Sequence, residues 1–321
     1  MKKPLLSIPS PLGGSLALHH NAWDGGALDE TLSIVGGLHG NEINGFYITA
    51  RLARFLQSVT QGREKEYRLR GKVRIFPVVN FGATQSGSGN WPFDELDMDL
   101  AFPGNEKGEA GEKPAAAILQ HTAESTQGII LSTGAHHYLD VPHVKLFQPG
   151  RNLKKTAHYL GLDVVREISN LPTTHLLHHW VEQGIPAMMI TAGKTGSLER
   201  NYCENVFNGL VNLMLVMGLL SHDRERGKKH DTVFYPAENQ ITLASTRAGL
   251  FIPEISVGVT LRAGQKIGVI LDMVTGETLE EITAPAEGGF LVSLRDYPPV
   301  YEKEPLAILL REKKPFKLWP F

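Results

Sequence analysis

The most constraining feature of this 321-residue chain is a short apolar run that stops at paired glycines and continues as a helix. Residues 31–37 read TLSIVGG, and the apolar residues of the following stretch, residues 39–59, recur at roughly helical spacing. A strand, a tight glycine turn and a helix in this order open an α/β unit. The turn lies at the carboxyl end of the strand, where open α/β sheets bind ligands.

Apolar runs and amphipathic stretches continue to alternate up to about residue 220. This alternation predicts an α/β sandwich with a largely parallel sheet. Beyond the first unit, strands are predicted within residues 71–83, 128–147 (two short strands) and 184–193, and helices at 113–125, 152–161, 173–183 and 201–220. The stretch 83–111 is polar, glycine-rich and without a period, and loops of that length inside a domain are usually functional.

The character of the chain changes after residue 220. A charged segment, residues 221–231, fits a linker, and short β-rich pieces punctuated by glycine follow from residue 242. The domains predicted are an α/β domain over 1–225, a small all-β domain over 240–312 and a tail over 313–321. We expect the apolar tail to pack on the first domain or on another subunit.

Composition narrows the classes of partner. The chain has 32 Lys and Arg against 34 Asp and Glu, a formal charge of −2, which argues against nucleic acid or an anionic membrane as the partner. Its single cysteine, Cys203, cannot form an internal disulfide and favours a reducing compartment. With no apolar run long enough for a signal peptide or a membrane span, we expect a cytoplasmic location.

The glycine turn carries an imidazole and a carboxylate. Residues 36–42 read GGLHGNE, so that His39 and Glu42 are three positions apart at the predicted strand end. Zinc is commonly held by His together with Glu, and two such groups on one turn can point at one ion. The alternative interpretation is a helix-entry turn in which both groups only form hydrogen bonds.

These motifs resemble the succinylglutamate desuccinylase/aspartoacylase family, relatives of the zinc carboxypeptidases. The resemblance rests on GGLHGNE, on VVNFGATQSGSGNWPFDELDMDLAFPG, on the segment ending in STG, on GIPAMMIT, and on AGQKIG and APAEGG near the C-terminus. It implies a three-layer carboxypeptidase-like sandwich with a C-terminal β barrel-sandwich domain. It also implies one zinc ion with His39 and Glu42 as ligands, and a small acylated molecule as substrate.

Several family positions are altered. The family's substrate clamp, Asp/Asn-Leu-Asn-Arg before Phe-Pro-Gly, here has Asp97 at the first position, Asp99 for asparagine and Leu100 for arginine. Arginine holds a carboxylate through a planar fork of donors, which leucine lacks. We therefore expect the carboxylate of an acylamino acid to find no clamp, while Asp97, Asp99 and Leu100 still line the pocket loop.

The third zinc ligand of the family, a histidine at a strand end, corresponds to Ser132, and its orienting carboxylate corresponds to Ile130. Serine is a poor zinc ligand. A histidine shifted along the loop is the candidate replacement, with His136 first and with His137 and His143 as the other possibilities. For each of them a hydrogen-bonded loop residue is the alternative interpretation.

The family's general base is a glutamate. The resemblance assigns that position to residue 193, which is glycine in this chain. Glu199 is the nearest carboxylate in sequence, whereas Lys194 could act only with a strongly lowered pKa. A surface role for Glu199 is the alternative. The pair His175 and His179, four residues apart in a predicted helix, is a much weaker metal candidate because no glutamate accompanies it.

Two functions remain open. The first is a zinc hydrolase that cleaves an amide or related acyl bond with a rewired site. The second is a catalytically inactive family member that binds or regulates, as a homo-oligomer or together with an active relative, since a scaffold can outlast its chemistry.

Overall fold

The computed structural model describes residues 4–10 and 13–311. The predicted tail, residues 313–321, lies outside the described residues. The chain divides into two compact units, the first made of residues 1–133 and 142–234 and the second of residues 134–141 and 235–321.

The first unit alternates strands and helices as the sequence predicts. Its strands are β1 Leu6–Pro9, β2 Ser15–Leu18, β3 Asn21–Asp24, β4 Thr31–Gly36, β5 Tyr67–Leu69, β6 Lys72–Phe76, β7 Gln127–Ser132, β8 Tyr138–Phe147, β9 Val164–Ile168, β10 Ala187–Gly193, β11 Leu220–His222 and β12 Val233–Tyr235. Its helices are α1 Ile43–Thr60, α2 Phe81–Ser86, α3 Glu112–Thr122, α4 Arg151–Ala157, α5 Leu176–Glu182 and α6 Arg200–Val216. Strand β8 begins in the second unit and ends in the first, and β12 ends in the second.

The central sheet of the first unit runs in the order β9, β8, β10, β7, β4, β6, β3. Strands β10, β7, β4 and β6 pair in parallel with one another in this order, and β3 closes the edge antiparallel to β6. Because the parallel strands end at the same edge, the residues that follow β4, β7 and β10 come together there.

Helices cover both faces of this sheet. Within β4, Leu32 and Ile34 belong to one buried cluster with residues of α1 and α6, and Val35 belongs to another with residues of α3 and α5. Alternate residues of a strand point to opposite faces. The predicted three-layer α/β sandwich is therefore confirmed.

Between residues 235 and 311 the second unit contains only β-strands and one short 3-10 helix. Its strands are β13 Gln240–Ala244, β14 Gly249–Pro253, β15 Thr260–Leu261, β16 Lys266–Leu271, β17 Thr278–Thr283, β18 Gly289–Arg295, β19 Pro299–Val300 and β20 Pro305–Leu310. Strands β17, β16, β14 and β19 form one sheet, and β13, β20 and β18 pair in a second. A buried core that includes Phe251, Ile267 and Leu309 lies within this unit, in agreement with the predicted β domain.

Several helix boundaries differ from the sequence prediction. The helix expected over 173–183 begins only at Leu176, because His175 is in extended backbone and caps it. The helix expected over 152–161 ends at Ala157 and continues as one 3-10 turn to Leu160. In the part of the chain that the structure describes, no helix combines the length and the apolar character needed to cross a bilayer.

The turn after β4 requires glycine. Gly37 has φ +65°, and a Cβ atom added there would lie 2.5 Å from a ring carbon of Phe46 and 3.0 Å from Cα of Val78. Its carbonyl also accepts the backbone N–H of Asn80, so the turn is fixed to the next strand–helix connection.

We expect Gly37→Ala to lower the free energy of unfolding by about 3 kcal/mol, since the left-handed backbone and the overpacking each cost about 1–2 kcal/mol. The measurement is chemical denaturation. Gly62→Ala is the matched control, because Gly62 has φ +70° with open space around its Cα, so it should lose about 1 kcal/mol through the backbone effect alone. Equal losses in both variants would contradict the steric part of this explanation.

Candidate metal centre and active site

Three chain segments of the first unit converge at the carboxyl edge of its sheet. His39 and Glu42 stand on the turn between β4 and α1, and Ser132 ends β7. Asp97 and Asp99 come from the long polar loop between α2 and α3. That loop contains buried Met98, which begins a 3-10 turn, Met98–Leu100. The N–H of Asp99 in this turn donates to Asp97 Oδ1.

The imidazole of His39 lies between two carboxylates. Its Nε2 is 3.0 Å from Asp97 Oδ1, and its Nδ1 is 3.5 Å from Glu42 Oε1. His39 and Glu42 therefore converge, as the motif predicts. The sequence did not predict that Asp97 faces the other ring nitrogen.

Glu42 is almost fully buried, with 1% of its surface exposed. Its Oε1 accepts hydrogen bonds from the Ser132 hydroxyl at 2.9 Å and from the backbone N–H of Thr133 at 3.4 Å. Its Oε2 accepts the backbone N–H of His39 at 3.2 Å. These donors stabilise the buried negative charge. Ser132, where the family has a histidine, thus holds Glu42.

Asp99 extends the acidic side of the site. His39, Asp97 and Asp99 each offer one ligand atom, and these atoms lie within 4.8 Å of one another. Asp99 Oδ1 is also 3.7 Å from Nε2 of His175, which caps α5. Lys145 of β8 contributes a positive charge that acts on both Asp99 and His175.

The charges of this group are strongly coupled. Burial lowers the pKa of His39, but its contacts with Asp97, Glu42 and Asp99 outweigh burial and raise the pKa to about 11. The hydrogen bond from His39 lowers the pKa of Asp97. Burial raises the pKa of Asp99 to about 7, although the charge of His39 opposes it. Burial and the charge of Lys145 lower the pKa of His175 to about 4.

The donor set fits a divalent metal ion. The imidazole of His39 and the carboxylates of Asp97 and Asp99 give three protein ligands, the number that catalytic zinc sites use while leaving a position open. Two carboxylates also suit manganese or magnesium. On the opposite side of the ring, Nδ1 faces Glu42, and a metal-bound histidine commonly donates its second N–H to such a carboxylate.

The carboxylate of Glu199 lies beside Gly193 at the end of β10. Gly193 has φ +71°, and the space that a side chain there would enter is filled by the carboxylate of Glu199 and the amide of Asn44. Glu199 Oε2 accepts hydrogen bonds from Asn44 Nδ2 at 2.5 Å and from the N–H of Lys194 at 3.3 Å, and Oε1 accepts one from Ser197. Asn44 is fully buried.

Thr191 of β10 is the register partner of Ser132 on the neighbouring strand β7, and Gly193 follows two positions later. Thr191 is fully buried, and its hydroxyl has no hydrogen-bond partner among the described residues. Two small hydroxyl residues thus stand side by side at the ends of β7 and β10.

The candidate histidines do not share one location. His136 and His137 belong to the second unit, where their rings are 3.7 Å apart and His137 stacks on Tyr297. His143 lies within β8 of the first unit, fully buried and bonded through Nε2 to Arg166. His136 as the third ligand stays a prediction.

Two further residues named in the sequence analysis lie near this site. Leu100 is exposed. His175 Nδ1 accepts the N–H of Leu177, so it is engaged in capping.

Sequence reasoning missed four residues of this site: His175 as a neighbour of Asp99, Lys145, Thr191 and Asn44. The position of His175 just before an apolar helical pattern was a signal for a capping residue. For the other three, only the sheet register and the packing of α6 on α1 reveal the contact.

We expect Glu42→Ala to lower the free energy of unfolding by about 3 kcal/mol, because three buried or half-buried donors lose their acceptor and each unsatisfied donor costs about 1–3 kcal/mol. Chemical denaturation is the measurement, with Ser132→Ala as the control that removes one donor and should cost about 1 kcal/mol. A Glu42→Ala protein as stable as the wild type would show that the buried carboxylate does not support this turn.

Several solved structures share the fold of this chain over nearly its whole length. A succinylglutamate desuccinylase/aspartoacylase from Rhodobacter sphaeroides is 20% identical with a TM-score of 0.79, covering 95% of this chain and 93% of that one. An aspartoacylase family protein from Mesorhizobium loti is 22% identical with a TM-score of 0.76, covering 96% and 93%. The product-bound ectoine utilization protein EutE (DoeB) from Ruegeria pomeroyi is 17% identical with a TM-score of 0.80, covering 96% and 93%.

No curated protein matches this chain. Residues 29–141, which contain His39, Glu42, Asp97, Asp99 and Ser132, match the family model of the succinylglutamate desuccinylase/aspartoacylase catalytic domain. Over that segment the chain is similar to the catalytic domain of the succinylglutamate desuccinylase/aspartoacylase family.

Proposed function

We propose that this protein is a metal-dependent hydrolase of the desuccinylase/aspartoacylase type whose metal site has been rewired. One divalent ion, zinc in the first instance, is held by Nε2 of His39 and by the carboxylates of Asp97 and Asp99. The observation that carries the proposal is the placement of these three ligand atoms within 4.8 Å of one another. Glu42 then accepts the Nδ1–H of His39 and fixes the orientation of the ring.

A bound divalent ion supplies Lewis-acid activation of water and of an amide carbonyl. The residues of the chain supply orientation and charge. Buried Glu42, held by Ser132 and Thr133, keeps His39 in place. The anchored 3-10 turn presents Asp97 and Asp99 from one short segment, so both carboxylates keep a fixed spacing.

Glu199 is the proposed proton acceptor. Its carboxylate fills the space beside Gly193, which is the position that the resemblance assigns to the family's base. Hydrogen bonds from Asn44, Ser197 and the Lys194 N–H orient both oxygens. A carboxylate has about four acceptor positions, so one remains for a water or substrate proton.

The proposed substrate is a small acylated molecule without a carboxylate beside the scissile bond. An arginine clamp is replaced by exposed Leu100, which offers no donor. Asp97 and Asp99 add negative charge at the same loop and would repel a substrate carboxylate.

The alternative function is a binding or regulatory role without catalysis, alone as a homo-oligomer or with an active relative. The observation that favours it is the pair of small hydroxyl residues at the ends of β7 and β10, Ser132 and Thr191, together with the full engagement of Glu42 by hydrogen bonds. A cytoplasmic location also stays a prediction.

We expect chelator-treated protein to bind one equivalent of Zn²⁺ in a calorimetric titration, and His39→Ala to abolish binding. Asp97→Asn and Asp99→Asn should each weaken binding by more than tenfold, because each removes a ligand charge. Glu42→Gln should weaken it by about 10–100-fold, the usual effect of losing an orienting partner.

Loss of binding in Glu42→Gln with unchanged affinity in Asp99→Asn would place the ion on the Nδ1 side of His39 and overturn the proposed ligand set. A wild-type protein that binds neither Zn²⁺ nor Mn²⁺ would overturn the hydrolase proposal and favour the binding role.

We expect the metal-loaded protein to hydrolyse N-acetylaspartate and N-succinylglutamate with kcat/KM about 30–150-fold below that for an N-acyl amine of similar size, because a charged clamp contributes about 2–3 kcal/mol. Leu100→Arg, which restores the arginine that the resemblance implies and leaves Asp99 in place as a ligand, should narrow that gap. Efficient hydrolysis of either carboxylate substrate by the wild type would contradict the assigned role of Leu100.

A further inference from the structure

His175 stands beside the proposed metal site but is held as a helix cap. Only 4% of its surface is exposed, and it occupies the position just before α5. Its Nδ1 accepts the backbone N–H of Leu177 at 3.0 Å. Its Nε2 points to Asp99, 3.7 Å from Oδ1.

This capping bond fixes which ring nitrogen carries the proton. Since Nδ1 accepts a hydrogen bond, it has no hydrogen, and a neutral imidazole then carries its proton on Nε2. A neutral histidine that binds a metal through Nε2 must carry its proton on Nδ1, which here faces a donor. His175 is therefore unsuited to be a ligand and suited to donate to Asp99.

The loop that carries His175 is tied to the loop that carries Asp99. The N–H of Phe102 donates to the carbonyl of Thr174 at 3.0 Å, and the N–H of His175 donates to the carbonyl of Pro172 at 3.0 Å. Phe102 and Leu176 lie in the same buried cluster. The distance between the imidazole and the carboxylate is therefore set by backbone bonds and packing on both sides.

We propose that His175 is a positioning residue that donates its Nε2–H to Asp99 and orients this carboxylate for a divalent metal ion. The inference rests on the proposed function, in which Asp99 is a ligand. At 3.7 Å the two groups are in ion-pair range but beyond hydrogen-bond distance in this structure, so the proposed bond would form when Asp99 binds an ion. The positive charge of Lys145 acts on both Asp99 and His175.

The test uses His175→Asn, since asparagine is a good capping residue but lacks the Nε2–H donor. We expect its melting temperature without metal to stay near the wild-type value and its Zn²⁺ affinity to fall by about 10–100-fold in a calorimetric titration. His178→Asn is the matched control, because His178 lies on the same helix and pairs with Glu182. It should bind Zn²⁺ as the wild type does.

A double-mutant cycle tests whether His175 affects the Zn²⁺ affinity through Asp99. If His175 acts through Asp99, His175→Asn should cause little further loss of affinity in an Asp99→Asn background. Independent, additive losses would overturn the assignment. Nitrogen-15 spectra of the wild-type histidines provide a second readout that needs no variant to fold: Nε2 of His175 should be protonated and Nδ1 unprotonated, and the reverse tautomer would overturn the inference.

The two proposals fail differently. If the wild-type protein binds no divalent ion, both the proposed function and the proposed role of His175 are overturned. Wild-type protein that binds one equivalent while His175→Asn binds equally well overturns only the inference about His175.

Discussion

The imidazole of His39 is the point on which the site depends, because a carboxylate faces each of its two nitrogens. Glu42 lies on the Nδ1 side and Asp97 on the Nε2 side. A neutral imidazole donates from one nitrogen and accepts or binds a metal through the other. Whichever side holds an ion, the carboxylate on the opposite side orients the ring. These atoms therefore permit two metal positions, and the grouping of Asp97 and Asp99 with His39 favours the side of the ring that Asp97 faces.

The residues at the positions that the resemblance marks as altered fit one another physically. Ser132 is shorter than histidine, and its hydroxyl donates to Glu42, so the buried carboxylate keeps a partner without a metal at that point. Gly193 leaves space that the side chain of Glu199 enters from the start of α6. Asn44, buried between α1 and the end of β10, bonds both Glu199 and the carbonyl of Ala192. At Ser132 and at Gly193, a neighbouring side chain thus fills the space or satisfies the hydrogen bond.

The Asp97–Asp99 segment shows where sequence reasoning stopped short. The structure has these residues in the long polar loop between α2 and α3, and their place beside a substrate pocket stays a prediction. Their contact with Nε2 of His39 was not predicted, since a loop of about 30 residues without a hydrophobic period does not specify its path. For the same reason Glu199 was identified only as the nearest carboxylate, and the space beside Gly193 that it fills became visible only in three dimensions. The role of His136 stays a prediction, because it belongs to the second unit.

The sequence by itself determined the layers of the first unit, the β domain and the turn that carries His39 and Glu42. It could do so because strand and helix periods, glycine positions and local spacing are properties of neighbouring residues. Tertiary structure alone decided that Asp97 and Asp99 face His39, that Thr191 stands beside Ser132, and that His175 points its Nε2 to Asp99. These contacts join residues far apart in the chain, and they depend on sheet register and loop packing, which no local pattern encodes.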